Sequence, residues 1–298
     1  MIFKEVKLHV EDCDFKVNIA VVGMGLIGGS YAMALRVLNP KSIIGIDKDK
    51  KALDNALHRG IIDRGYESGG RFLKEVDLAI IALYPRDTVE FVKNNLSNFK
   101  MEVLITDTSS VKKDVVNNIN AFLPDGMEFV SGHPMTGREC RGIEFASADI
   151  FTKANYIITP SSKNTSRGLK VIDTMARKMG CSNVTYVSPE EHDDAIAFTS
   201  QLPHVVAVSL MNSHEEGFID HMALFTGGSF RDATRVAQIN SGLWSQLFIM
   251  NSNKLVDEIE RFQRSIDRLK TAIIYRDMKS IDHIFQNAIR RRKALVKR

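Results

Sequence analysis

Three glycines set between two apolar runs constrain this chain more than any other stretch. Asn18-Ile-Ala-Val-Val-Gly23-Met-Gly25-Leu-Ile-Gly28 is followed, nineteen residues after Gly28, by Asp47 at the end of a second apolar run. Residues 19–22 predict a buried strand, 27–38 a helix and 42–46 a second strand, so the glycines fall on the strand-to-helix turn. At such a turn Gly23 permits the tight bend, Gly25 lets the backbone approach a pyrophosphate and Gly28 permits close helix packing. The helix N-terminus, with Leu26 and Ile27 in its first turn, then faces the phosphates. Asp47 is positioned to accept hydrogen bonds from both ribose hydroxyls and to repel a 2'-phosphate. The cofactor expected is therefore NAD, with NADP left as the alternative because Lys48, Lys50 and Lys51 could offset a phosphate.

The alternation continues downstream. A helix is expected over 49–58 with a stop at Gly60, a strand over 76–83 ending at Tyr84-Pro85, and a helix over 86–96. A strand over 103–106 leads into Asp107-Thr-Ser-Ser110, whose hydroxyls are expected to cap a helix over 111–122. A short strand over 127–130 enters Gly132-His133-Pro134. Strands over 156–159 and 184–187, around a helix over 166–179, are expected to finish the same sheet. This is the pattern of a mostly parallel sheet covered by helices, with its ligand crevice beyond the carboxyl ends of the strands.

Beyond Pro189 the texture changes. Segments 190–214, 231–239, 243–251, 255–275 and 281–295 all favour helix. The expected fold is an α/β Rossmann-type nucleotide-binding domain over residues 1–187 followed by an all-helical domain over 188–298. In the latter, Leu255, Ile259, Phe262, Ile266, Leu269 and Ile273 give one broad apolar stripe, suited either to an internal core or to a subunit interface. A homodimer through the helical domain is the expected assembly. Residues 1–15 fit a strand or hairpin.

Composition narrows the class further. The 298 residues carry 40 basic and 36 acidic side chains, but six of the basic ones lie in 290–298, leaving 34 against 36 in the body. A basic C-terminal helix is a solvated end before it is a nucleic-acid site, so no nucleic-acid partner is expected. No apolar run reaches transmembrane length and 1–15 alternates apolar with charged residues, which predicts neither a membrane span nor a signal peptide. Cys13, Cys140 and Cys181 are widely spaced without metal-site pairing, so no metal is expected and the expected compartment is the reducing cytoplasm.

Two groups of residues carry candidate chemistry. His133 sits in Ser131-Gly-His-Pro-Met-Thr-Gly137, a loop on the ligand side of the sheet, where an imidazole could take a proton from a hydroxyl as hydride leaves the same carbon. His204 follows Ser200-Gln-Leu-Pro203 at the start of an apolar helix. Arg231 and Arg235 lie one turn apart beyond Gly227-Gly228, which suits a carboxylate clamp or, equally, surface salt bridges.

Taken in order, these segments resemble the prephenate/arogenate dehydrogenases of tyrosine biosynthesis. The match comprises the glycine turn, Asp107-Thr-Ser-Ser-Val-Lys112, His133-Pro-Met-Thr-Gly-Arg-Glu139, His192-Asp-Asp194, Ser200-Gln-Leu-Pro-His204 and Gly227-Gly-Ser-Phe-Arg-Asp-Ala-Thr-Arg235, spanning roughly residues 18–252. The resemblance implies oxidative decarboxylation of prephenate to 4-hydroxyphenylpyruvate, with arogenate dehydrogenase as the alternative and a catalytically inactive nucleotide-sensing protein as a more distant one. It implies that His133 draws off the proton of the ring hydroxyl, that Ser110 holds this hydroxyl and the histidine in register, and that Arg235 binds a substrate carboxylate. It further implies that His204 and Ser200 line the substrate pocket, that Glu139 gates it or pairs with a basic group, and that His192 is a supporting polar residue. Gln201 departs from the histidine that many relatives carry, which puts the choice between keto-acid and amino-acid side chains in doubt and places residue 201 among the substrate contacts.

Overall fold

In the computed structural model, which describes residues 15–137, 140–215 and 217–296, the long apolar runs become the centre of a sheet. Elements follow as β1 (Asn18–Val22), α1 (Leu26–Arg36), β2 (Ser42–Ile46), α2 (Lys50–His58), β3 (Arg64–Tyr66), β4 (Leu78–Ile81), α3 (Pro85–Asn94), β5 (Leu104–Asp107), α4 (Lys113–Phe122) and β6 (Glu128–Phe129). The sheet is parallel throughout, in the order β3-β2-β1-β4-β5-β6. Helices cover both faces, so Ile19–Val22 and Ile43–Ile44 are almost fully buried, which is why these strands read as continuous apolar runs. The strand order reverses between β1 and β4, the place where such sheets open a ligand crevice. Strand β3, three half-buried residues Arg-Gly-Tyr, escapes the sequence pattern because it has no apolar run of its own.

The expectation that the later strands finish this sheet is corrected. β7 (Ser131–Pro134), β8 (Asn155–Thr159) and, after α5 (Ser166–Lys178), β9 (Asn183–Tyr186) form a separate three-stranded sheet, with β7 antiparallel and β9 parallel to β8. The switch is made at Val130. Its N–H still donates to the Ile105 carbonyl at 2.9 Å, whereas the Gly132 N–H donates to the Asp107 carboxylate at 3.2 Å. A side chain thus takes the place of the next strand carbonyl, and β7 is released to pair elsewhere.

Helices alone follow Tyr186 among the described residues: α6 (Pro189–Ile196), α7 (Leu202–Met211), α8 (Phe218–Met222), α9 (Gly228–Thr234), α10 (Ser241–Met250), α11 (Ser252–Ile274) and α12 (Met278–Val296). The single helix expected over 190–214 is broken by a π-helical turn, Ala197–Gln201, between α6 and α7. The expected hydroxyl cap on α4 is also corrected. That helix begins at Lys113 without a local side-chain cap, and the Asp193 carboxylate of α6 accepts the Lys112 and Lys113 N–H groups at 2.8 and 2.9 Å.

The two parts pack directly: α10 lies on α3, and Leu247 joins the core cluster that includes Val92, Val115 and Ile119. The apolar stripe of α11 is only partly used within one chain. Leu255 is buried, but Ile266 and Ile273 are 48% and 57% exposed. The strand or hairpin expected within 1–15 lies, except for Phe15, outside the described residues; Phe15 itself is buried in the core.

Candidate functional site

The glycine turn has the geometry a dinucleotide needs. Gly23 has φ of +89°, and a Cβ there would meet the Ala82 carbonyl oxygen at 2.4 Å; a Cβ on Gly28 would stand 1.8 Å from the Gly23 carbonyl oxygen. Gly25, by contrast, has nothing within 4 Å of an added Cβ. Its smallness answers to nothing inside the protein, as a position lying against a bound pyrophosphate should. It is also the N-cap of α1, with no side chain capping the helix, so the first-turn amides at Leu26, Ile27 and Gly28 are available to an anion. Asp47 closes the other side. Its carboxylate accepts the Met24 N–H at 2.6 Å and the Asp49 N–H at 2.8 Å, which ties the acid to the glycine turn. Each oxygen keeps accepting capacity for a ribose hydroxyl. Lys48, Lys50 and Lys51 are exposed.

Two strands away, the carboxyl end of β5 carries a second acid. Asp107 is fully buried and makes five hydrogen bonds: to Lys112 Nζ through both oxygens at 3.0 and 2.9 Å, to Ser131 Oγ at 2.7 Å, and to the Ser109 and Gly132 N–H groups at 3.0 and 3.2 Å. Lys112, also fully buried, donates to the Gly132 carbonyl at 2.6 Å. Burial lowers the Lys112 pKa, opposed by Asp107 and Asp193. The ion pair therefore grips the backbone immediately before His133 at both its amide and its carbonyl.

His133 is half-buried on β7, and its Nδ1 lies 2.9 Å from His192 Nε2. His192 Nδ1 in turn lies 2.8 Å from Asp193 Oδ1. Burial pushes both imidazoles below their ordinary pKa, His133 far below; the His192 ring and Lys112 depress His133 further, while Asp193 partly opposes the effect on His192. Both rings are then neutral near pH 7. A carboxylate only accepts, so His192 carries its proton on Nδ1 and presents a lone pair at Nε2. His133 must donate from Nδ1 to that lone pair. The remaining His133 nitrogen, Nε2, is left as a proton acceptor.

The residues expected around a substrate are distributed unevenly. Ser110 is half-buried between β5 and α4, and β5 lies alongside β7, the strand that carries His133. His204, in the first turn of α7, donates from Nδ1 to the Ser200 carbonyl at 2.8 Å and stacks on Trp244 with ring centroids 3.6 Å apart. Ser200 is half-buried in the π-helical turn. Arg235 opens a 3-10 turn packed on α7 and is exposed in the single chain. Glu139 lies outside the described residues.

Gln201, expected among the substrate contacts, is fully buried; its Nε2 donates to the Leu247 carbonyl at 3.2 Å and its Oε1 accepts from Asn251 Nδ2 at 2.9 Å. Its amide thus ties the π-helical turn to α10 and to the residue between α10 and α11.

Asp107, Lys112, Asp193 and Trp244 adjoin the candidate residues, although the sequence assigned none of them a role of its own. Asp107 had a signal, since like Asp47 it is an acid at the carboxyl end of an apolar strand. Asp193 lies in the matched His192-Asp-Asp194 segment, but nothing there announces its helix-capping role, because those partners are 80 and 81 residues away. A further bond, Asn240 Nδ2 to the Tyr84 hydroxyl at 2.6 Å, joins the helical domain to the turn after β4. Among the described residues no group of three His, Cys, Asp or Glu side chains is placed to hold a metal ion, and no helix is long and apolar enough to cross a membrane.

Comparison with known proteins places relatives on both parts of the chain. Residues 31–185 match the model for the prephenate dehydrogenase nucleotide-binding domain, and residues 188–287 match that for the prephenate dehydrogenase dimerization domain. The chain is 34% identical over 277 residues to a prephenate dehydrogenase of Bacillus subtilis, covering 92% of this chain and 74% of the relative. It is 29% identical over 282 residues to a cyclohexadienyl dehydrogenase of Zymomonas mobilis, covering 93% and 96%. The crystal structure of prephenate dehydrogenase from Aquifex aeolicus in complex with hydroxyphenyl propionate and NAD+ superposes with a TM-score of 0.84 at 28% identity, covering 93% of this chain and 98% of that one.

Proposed function

The chain belongs to the prephenate dehydrogenase family, and on that premise we propose that it catalyses the NAD-dependent oxidative decarboxylation of prephenate to 4-hydroxyphenylpyruvate. The observation that carries the proposal is the configuration of His133: a neutral imidazole whose Nδ1 is committed to His192, leaving Nε2 as the base. His133 follows Gly132, whose N–H is held by Asp107 at the carboxyl end of β5, a strand of the same sheet whose first turn suits a dinucleotide.

In this reading residues 1–187 hold the nucleotide and residues 188–298 complete the substrate site and pair two subunits. Bound NAD supplies the acceptor for the hydride that leaves C4 of the ring. The turn at Gly23, Gly25 and Gly28 receives the pyrophosphate against the α1 amides, and Asp47 accepts from the ribose hydroxyls. His133 Nε2 takes the proton of the C4 hydroxyl as the carbonyl forms, with Ser110 holding that hydroxyl in register. Arg235 binds a carboxylate, and His204 and Ser200 line the far wall. Loss of the ring carboxylate as carbon dioxide leaves a phenolate, to which His133 returns its proton, so the histidine ends the cycle neutral. Aromatisation supplies the driving force; the protein's task is orientation and charge placement.

The dimer is supported by the apolar residues that one chain leaves uncovered on its last two helices, among them Ile266, Ile273, Met278 and Phe285. We assign the enzyme to the cytoplasm, where the free thiols of Cys140 and Cys181 stay reduced.

The test is NAD reduction by the purified protein with prephenate and with arogenate side by side. A higher kcat/KM for prephenate is expected. Preference for arogenate would overturn the substrate assignment, and tight NAD binding with turnover of neither would return the chain to a nucleotide-sensing role.

A further inference from the structure

Asp193 is 5% exposed, at the end of a chain of bonds that crosses from one domain to the other. Its Oδ1 accepts the Lys112 N–H and faces His192 Nδ1, and its Oδ2 accepts the Lys113 N–H. Its backbone carbonyl accepts from Asn251 Nδ2, the same amide that reaches Gln201. One carboxylate of the helical domain therefore caps α4 of the nucleotide domain and orders the imidazole that touches His133. A charged cap on free helix amides is a strong, directional contact.

We propose that His192 and Asp193 are positioning residues that select which nitrogen of His133 receives the substrate proton, and that this selection holds only while the two domains sit in register. The inference rests on His133 being the base of the proposed reaction. Its logic is geometric. Without an acceptor at His192 Nε2, nothing fixes the His133 proton on Nδ1, and the ring can carry it on the nitrogen that must be bare. Without Asp193, His192 loses the carboxylate that keeps its own proton on Nδ1, and α4 loses its cap in the same step. The charged groups facing the two rings are Lys112, Asp107 and Asp193, which the test leaves in place when only His192 is changed.

The experiment reads the tautomers directly by nitrogen-15 NMR of histidine-labelled protein, together with kinetics of His192→Phe and His192→Gln. In the unsubstituted protein both rings are expected in the Nδ1–H form. His192→Phe should shift His133 toward Nε2–H and lower kcat by about a hundredfold, a loss within the range that general base catalysis contributes. KM for prephenate and the Kd for NAD should stay within about twofold, because neither ligand is held by His192. His192→Gln, which can return an acceptor oxygen, should recover at least about tenfold of that loss. A His133 proton on Nε2 in the unsubstituted protein overturns the inference, as does unchanged kcat in folded His192→Phe or an equal loss in both variants. The tautomers are measured without substrate, so failure to turn over prephenate would count against the proposed function while leaving this result standing.

Discussion

Lys112 Nζ lies 2.9 Å from Asp107 Oδ2, and neither side chain has any exposed surface. A pair this deep is weak evidence of net stability, because desolvating both charges offsets their attraction; breaking it is another matter. Lys112→Met should leave the Asp107 carboxylate buried and uncompensated and cost about 3–5 kcal/mol. The urea midpoint should fall accordingly, and turnover should fall with it, because the lysine also holds the Gly132 carbonyl. An unchanged midpoint would remove Asp107 from its place as the anchor of the His133 strand.

The two coupled histidines predict a definite response to pH. Both are held below their ordinary pKa in the folded protein, mainly by burial. An unfolded chain protonates them near pH 6.5, about the reference value. Below that pH the unfolded state binds more protons than the folded one, so stability should fall as pH drops, until the lowered native pKa values are reached. Activity should behave differently, since the unprotonated His133 persists below pH 6.5. Urea midpoints and kcat/KM measured across this range should show stability declining first. An acid limb of kcat/KM centred at or above pH 6.5, about the value of an unperturbed histidine, would contradict the depressed base.

The glycines of the first turn should separate folding from binding. Gly28→Ala forces a Cβ to within 1.8 Å of the Gly23 carbonyl oxygen and should lower the melting temperature, whereas Gly25→Ala meets nothing within 4 Å and should melt as the parent does. The Gly25 variant should nonetheless bind NAD more weakly, by about tenfold or more if the methyl displaces the pyrophosphate from the amides. Melting curves and NAD titrations of the two variants check this. Normal NAD affinity in Gly25→Ala would mean that the cofactor does not approach this turn.

Arg235→Ala tests the carboxylate contact. Because Arg235 is exposed in the single chain, its removal should leave stability nearly unchanged. KM for prephenate should rise by about tenfold or more, as expected when a charged hydrogen bond to substrate is lost. A KM equal to that of the parent would make Arg235 a structural salt-bridge residue.

The sequence announced the parts whose physics is local. β1 and β2 are buried on both faces and so appear as unbroken apolar runs, and the glycines between β1 and α1 mark a bend that few other residues permit. His133 is visible because glycines and a proline frame it. What did not show was whatever depends on distant partners. β8 and β9 look like strands, but nothing local says that Asp107 will intercept the Gly132 amide and send β7 to a second sheet. The hydroxyls of Thr108, Ser109 and Ser110 are plausible caps by position, yet Asp193 fills that role from the other domain. Gln201 sits in a motif associated with substrate, and only its burial against Leu247 and Asn251 reveals a packing role.

The measurement that bears most directly on the whole account is the kinetics and NAD affinity of His133→Asn. With the glycine turn and Asp47 untouched, Kd for NAD should match the parent within about twofold, while kcat with prephenate falls by about a hundredfold to ten-thousandfold, the range expected for loss of a general base. Unchanged turnover at saturating prephenate would contradict the central claim that His133 accepts the substrate proton.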